Sequence, residues 1–277
     1  MNAEKAAELK KTADMLRLDV VRMVHDAGDG HPGPALSMLD ILTTLYFSEM
    51  RIDPKRPLWP DRDRFILSKG HSCPGLYAAL GRLGYFSTDE FDGLRDLGRI
   101  LQGHPVYEKT PGVDMTSGSL GNGLGLAVGM ALGARYLGKD FYTYVILGDG
   151  ESEEGVVWEA AMTAKKYALD HIIAFVDLNG WQSGGTTDEV GGINPIPEKW
   201  RAFGWYTQEI DGHDHAAIAQ AVARAKAHKG QPCAVIARCV KGKGLSYMEN
   251  DNSWHKGVPS DQQLEIAERE LGGESNG

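Results

Sequence analysis

Two short polar motifs carry the clearest chemistry in the chain. Gly148-Asp149-Gly150 follows an apolar run and opens the acidic stretch Glu151-Ser152-Glu153-Glu154. Thirty residues after Asp149 stands Asn179, in Asp177-Leu178-Asn179-Gly180 at the end of the next apolar run. One βαβ unit is about that long, so both motifs are expected at the same carboxyl edge of a sheet, where open α/β sheets bind ligands. Asp149 offers a carboxylate oxygen, Asn179 an amide oxygen, and the backbone near Trp181 a carbonyl. That hard-oxygen set suits magnesium, which keeps few protein ligands and completes its octahedron with phosphate oxygens and water. Gly148 and Gly150 would let main-chain N–H groups approach the phosphates, and the helix start adds its dipole. An Asp-capped strand-to-helix turn uses the same residues. The local motif leaves both readings open.

Histidines form the second set. His31 lies in Gly30-His31-Pro32-Gly33, His71 in Lys69-Gly70-His71-Ser72, His104 in Gln102-Gly103-His104-Pro105 and His255 in Trp254-His255-Lys256-Gly257. Loops held by a rigid scaffold are where catalytic groups concentrate, and imidazoles there can donate to hydroxyl and carbonyl oxygens or move protons near neutral pH. His25, His171, His213, His215 and His228 read as surface or capping residues. Gly118-Ser119-Leu120-Gly121-Asn122-Gly123 is a phosphate-cradle candidate or a close-packed turn, and it lacks the dinucleotide fingerprint. Lys241-Gly242-Lys243-Gly244 after the last strand could place a cation near phosphates, but reads first as a solvated basic turn, and Cys73 reads as a small loop residue rather than a nucleophile.

These groups need elements to position them. Helical spacing over about 2–27 is followed by a Gly- and Pro-rich break, an expected helix at 36–47 and a polar loop at 51–64. A short apolar run at 65–68 leads into Lys69, with helices expected over 75–83 and 88–97. Beyond the glycine loop at 116–125, a helix runs to about 137. Strands at 142–147, 172–176, 205–210 and 233–240 then alternate with helices at 153–168, 197–203 and 214–228. Continuously apolar strands alternating with helices give an α/β fold, a mostly parallel sheet with helices on both faces. The chain reads as one domain over 1–277, with an N-terminal helical segment (about 1–27) and a polar tail (about 241–277) that holds a short helix at 261–270.

Composition narrows the field. Lys plus Arg number 29 against 38 Asp plus Glu, a net charge of −9, which lacks the footprint of a nucleic-acid binder or an anionic-membrane binder. Hydrophobic residues at 42% exclude disorder as the main state. The N-terminus has no apolar core of signal-peptide type, and no run approaches the roughly 20 apolar residues of a membrane span. Three cysteines without metal spacing fit a reducing cytoplasm.

Taken in order, these segments closely resemble the thiamine-diphosphate-binding half of transketolases. The match runs through GHPGPALSMLDILTTLYF (30–47), DRFILSKGHS (63–72), QGHPVYEKTPGVDMTSGSLGNGLGLAVGMA (102–131), GDGESEEG (148–155), IAFVDLNG (173–180) and WHKG (254–257). The resemblance implies the diphosphate-binding fold, thiamine diphosphate as cofactor, and magnesium, or calcium or manganese in its place. It implies Asp149, Asn179 and the carbonyl of Trp181 as metal ligands, with Gly118, Gly148 and the N–H of Gly150 at the cofactor and Leu120 by its aminopyrimidine ring. His71 and His255 would stand near the diphosphate and the reacting centre, and His31 and His104 by the donor sugar's hydroxyls. Glu154 matches the acid that links two active sites across the transketolase dimer. Trp181 replaces an aliphatic residue, and Lys256 intrudes where the family commonly has Gly directly after the histidine.

The resemblance further implies a two-subunit transketolase. The chain's length is used on the first domain, so the pyrimidine-binding domain, with its activating glutamate, is expected on a partner subunit, two copies of each. Sugars or sugar phosphates would be the substrates, and a two-carbon ketol unit the group transferred. Rival readings are the alpha chain of a 2-oxoacid dehydrogenase, a deoxyxylulose-phosphate synthase-like subunit, a cofactor-free regulatory subunit, and a magnesium-dependent phosphohydrolase using Asp149.

Overall fold

Residues 1–272 are described by the structure, a computed structural model. Seven strands form among them: β1 (Arg64–Leu67), β2 (Thr143–Gly148), β3 (Ile172–Leu178), the hairpin strands β4 (Trp181–Gln182) and β5 (Gly185–Thr186), β6 (Tyr206–Asp211) and β7 (Cys233–Arg238). Five of them make one wholly parallel sheet in the order β1-β2-β3-β7-β6, while β4 and β5 pair antiparallel. The helices are α1 (Ala3–Ala27), α2 (Pro32–Ser37), α3 (Leu39–Thr44), α4 (Cys73–Leu83), α5 (Asn122–Tyr136), α6 (Gly155–Lys166), α7 (Thr187–Val190), α8 (Ile196–Ala202), α9 (His215–Ala227) and α10 (Asp261–Leu271).

Strand residues alternate between two cores because successive side chains point to opposite faces. Tyr144, Ile146, Ile173, Phe175 and Val235 pack under α1, α3, α4 and α9. Val145, Leu147, Ile172, Ala174 and Ile236 pack under α5, α6 and α8. Burial on both faces is why β2, β3 and β7 are apolar over most of their length, as the sequence reading expects. Asn2 caps α1 by accepting from the Lys5 N–H at 2.8 Å, and Gly28 ends it in the left-handed region at φ 62°. None of the described helices is long and apolar enough to cross a membrane.

Several local expectations are corrected. The helix expected at 36–47 begins earlier, because Pro32 suits a first helical position that needs no N–H. It divides at Met38 into α2 and α3 and ends in a π-turn over Leu45–Glu49. Only a 3₁₀ turn, Thr88–Gly93, forms in place of the helix expected over 88–97, and Arg95 at φ 70° cannot continue it. Cys73 is the buried first residue of α4, not a loop residue.

His213 and His215 are neither surface nor simple capping residues. Asp40 takes hydrogen bonds from Arg17 and, at 2.7 Å, from His213 Nδ1. His213 Nε2 accepts the Val240 N–H at 2.9 Å, so its proton lies on Nδ1. His215 Nδ1 meets Thr44 Oγ1 at 2.8 Å. Although burial opposes ionisation, Arg17 and His213 hold the Asp40 carboxyl down at about 2. This network fastens α1 and α3 to the segment that leaves β7.

Candidate functional site

Four strands of the sheet deliver the site at their carboxyl ends. β1 runs into Lys69, Gly70 and His71, β2 into Asp149, β3 into Asn179 and β7 into Lys241. Between these ends and the glycine loop lies a cavity of about 470 Å³. His31, His71, His104 and His255 line it, as do Gly118, Leu120, Gly148, Asp149, Gly150, Glu154, Asn179 and Trp181. Every residue that the resemblance assigns to the site is therefore brought to one place.

Three of the histidines make a compact cluster. Ring centroids are 5.3 Å apart for His31 and His71, 5.7 Å for His31 and His255, and 5.4 Å for His71 and His255. His104 stands apart from them on an exposed loop that approaches Gly118. Burial pushes the three clustered imidazoles down: His31 to about 4, helped by Lys256 and Arg95; His71 to about 2, helped by Lys69; His255 to about 4, helped by Lys241. They are neutral at pH 7 and offer uncharged donors and acceptors. Lys241 Nζ donates to His255 Nδ1 at 3.0 Å, which leaves the His255 proton on Nε2. His31 Nδ1 is buried without a hydrogen-bond partner.

Asp149 is buried, with 2% of its surface exposed. Its carboxylate accepts the Gly180 N–H at 2.6 Å and the Gly150 N–H at 2.8 Å, which ties the end of β2 to the turn after β3. Burial, reinforced by Asp177, pushes its carboxyl up to about 7. A carboxylate whose charge is so disfavoured is one a cation would stabilise. Asn179 Oδ1 stands on the neighbouring strand end and accepts the Trp181 N–H at 3.1 Å. The oxygen donors around Asp149 thus fit a hard divalent cation.

Sequence reasoning misread or passed over three residues here. Lys241 is not in a solvated turn: it is 1% exposed, lines the cavity and donates to Asn252 Oδ1 at 2.6 Å. Burial, with Lys69 nearby, lowers its ammonium to about 8. Lys69, also buried, pairs with Asp177 and donates to the Pro34 carbonyl at 2.7 Å. Glu151 turns inward from the acidic run and accepts from the Gly121 N–H at 2.7 Å, the Gly148 N–H at 2.9 Å and the Ser68 hydroxyl. One carboxylate therefore joins the end of β1, the end of β2 and the glycine loop. Gly121 carries φ 81° at the head of α5, and a Cβ there would lie 2.7 Å from Val156 Cγ1.

The chain after β7 folds back over the histidines. The Gly242 N–H donates to the Gly33 carbonyl and the Gly257 N–H to the Gly30 carbonyl, each at 3.1 Å. A Cβ on Gly33 would meet the Trp254 carbonyl at 2.5 Å, so glycine is what permits this approach. These contacts put His255 opposite His31.

Comparison with known proteins gives a consistent picture. Residues 8–276 match the family described as transketolase, thiamine diphosphate binding domain. The chain is 43% identical over 269 residues to a 6-deoxy-6-sulfo-D-fructose transketolase subunit of Clostridium sp. (strain MSTE9), covering 97% of this chain and 98% of that protein. It is 41% identical over 263 residues to one of the subunits of the apulose-4-phosphate transketolase of Phocaeicola vulgatus, covering 95% of this chain and 93% of that protein. The solved transketolase of Leishmania mexicana superposes with a TM-score of 0.91 at 31% identity, covering 95% of this chain and 41% of that one.

Proposed function

The chain belongs to the transketolase family, and from that membership we propose that it is the diphosphate- and magnesium-binding subunit of a two-subunit transketolase. The reaction is transfer of a two-carbon ketol unit from a ketose or ketose phosphate to an aldose or aldose phosphate. The observation that carries the reading is the joining of Asp149, Asn179 and the histidine cluster in one cavity. Matches to subunits of nearly the chain's own length support division of the enzyme between two chains. Membership supports this reading over the synthase, dehydrogenase and phosphohydrolase alternatives.

Thiamine diphosphate, when bound, supplies the nucleophilic carbon that accepts the ketol unit. Asp149, Asn179 and the carbonyl of Trp181 would hold magnesium, or calcium or manganese, against the diphosphate. The backbone of Gly118, Gly148 and Gly150 would face the cofactor, Leu120 its ring, and Lys69 and Lys241 would balance phosphate charge. His71 and the Nε2–H of His255 would donate to the diphosphate end and to oxygen at the reacting carbon. His31 and His104 would hold donor hydroxyls, and Glu154 would reach the second site of a dimer. Preoriented imidazole N–H groups stabilise charge that develops on substrate oxygen by hydrogen bonding. A pyrimidine-domain subunit, two copies of each chain, and a cytoplasmic setting that suits three free thiols complete the reading.

The test is ketol transfer with magnesium and thiamine diphosphate, for this chain alone and mixed with its pyrimidine-domain subunit. Activity only in the mixture is the expected result. Activity of this chain alone would refute the division of labour. Absence of transfer in the mixture, with cofactor bound, would refute the sugar chemistry.

A further inference from the structure

The chain leaving β7 enters the site through Lys241, and the side chains that grip it there lie outside the cavity. Lys241 is buried, and its Nζ reaches His255 Nδ1 at 3.0 Å and Asn252 Oδ1 at 2.6 Å. One residue earlier, the Val240 N–H donates to His213 Nε2 at 2.9 Å. Two residues later, the Lys243 carbonyl accepts from Arg17 Nε at 3.0 Å. Both gripping side chains rest on one carboxylate: Asp40 accepts from His213 Nδ1 at 2.7 Å and from Arg17 Nη2. Asp40 and Arg17 are buried, and Arg17 keeps Asp40 ionised, so both hydrogen bonds are charge-assisted. Asp40, His213 and Arg17 line a separate cleft and take no part in the wall of the histidine-lined cavity.

We propose that Asp40, His213 and Arg17 form a clamp that positions Lys241 and, through Lys241, fixes the tautomer and aim of His255. They are positioning residues for ketol transfer, and the inference rests on that reading. The clamp holds the backbone on both sides of Lys241, so its ammonium has little freedom to leave His255. A donor on Nδ1 obliges the His255 proton to lie on Nε2. That Nε2–H is the group that would donate at the reacting centre, so its readiness depends on a carboxylate of α3 that does not line the cavity. His213 serves only as the neutral ring with its proton on Nδ1, since a proton on Nε2 would face the Val240 N–H. Packing alone would need neither an ionised carboxylate nor a single tautomer.

The test follows His255 by ¹⁵N NMR on the full chain labelled at histidine, and ketol transfer by the complete two-subunit enzyme. The His255 signals are identified by their loss in His255→Gln. In the wild type, Nε2 should carry the proton and Nδ1 should report a bonded acceptor. His213→Ala should return Nδ1 toward a free nitrogen and lower kcat and kcat/KM together by about tenfold or more, the scale of a small misplacement at a reacting group. His213→Gln keeps one N–H for Asp40 and one oxygen for the Val240 N–H, and should recover both readouts. The double variant His213→Ala/His255→Gln should be slower than His255→Gln by less than about twofold, since the first change acts through the second residue. A lower urea midpoint for His213→Ala, with the His255 spectrum and kcat unchanged, would mark a brace of the fold alone and overturn the proposal. Additive losses in the double variant would overturn it equally. If the wild-type enzyme transfers no ketol unit, the ketol-transfer reading falls, and the His255 spectrum still decides the clamp.

Discussion

Replacing Lys69 by Met isolates the energetics of the buried ion pair beneath the site. Lys69 is 2% exposed and Asp177 0%. The ammonium lies between Asp177 and the Pro34 carbonyl, and the Ser37 hydroxyl also donates to Asp177. Methionine fills a similar volume but leaves Asp177 with Ser37 as donor and no countercharge, close to a second buried carboxylate, Asp149. Removing one partner of a buried pair costs about 3–5 kcal/mol, most of it the penalty on the charge left behind. A native state holds about 5–15 kcal/mol in all, and at this chain length each kcal/mol moves the midpoint by about 2–4 °C. The expected fall in Tm is therefore about 10 °C. Asp177→Asn in the Lys69→Met background removes the stranded charge and should recover much of the loss. Urea unfolding followed by tryptophan fluorescence, on both single variants and the double, gives the coupling directly. A loss below about 1 kcal/mol for Lys69→Met, or strict additivity in the double variant, would refute the reasoning.

Further outcomes follow from the same geometry. Asp149→Ala should abolish magnesium-dependent binding of thiamine diphosphate, read by calorimetry, while the far-UV spectrum is kept; unchanged affinity would remove Asp149 from the metal site. His104→Ala should lower donor turnover by about tenfold or more and cofactor affinity far less, since His104 stands apart from the other three rings; the reverse ranking would show it serves the cofactor. Acid should weaken the fold early. His31, His71 and His255 have folded pKa values below the unfolded value of about 6.5, so the unfolded chain takes up protons that the folded chain refuses. Their contribution is fully present above about pH 6.5 and is lost as pH falls toward the folded value of about 4 for His31 and His255. Chemical denaturation at pH 7, 6 and 5 should show the decline, and a His31→Gln/His255→Gln variant should flatten it. An equal slope in that variant would clear His31 and His255 of responsibility.

Much of this was legible because it is local or periodic. Strands β2, β3 and β7 announce themselves by unbroken apolar runs, and the one-unit spacing of Asp149 and Asn179 places both at one sheet edge. Other features depend on partners too remote in sequence to read. Glu151 looks like its acidic neighbours until Ser68 and Gly121, 83 and 30 residues away, are seen to meet it. His215 resembles a helix-start residue, but Thr44, 171 residues earlier, buries it. Lys241 sits in a Lys-Gly-Lys-Gly run that looks solvated, and only the return of Asn252 and His255 encloses it. At Arg95 a positive φ overrides a sequence otherwise compatible with helix.

The backbone strap from Gly242 to Gly257 fixes when the site comes into being. His31 and His255 are 224 positions apart (255 − 31), and the glycine-to-glycine bonds that hold them edge to face join the first quarter of the chain to its last. Emerging from a ribosome, the chain can build α1 and most of the sheet long before this clasp has a second half. Contacts of such long sequence separation also close late in folding, because the loop entropy must be met before they stabilise anything. Recovery of cofactor binding after dilution from denaturant should consequently lag behind recovery of helical signal, so that an incompletely matured chain carries the scaffold without the chemistry.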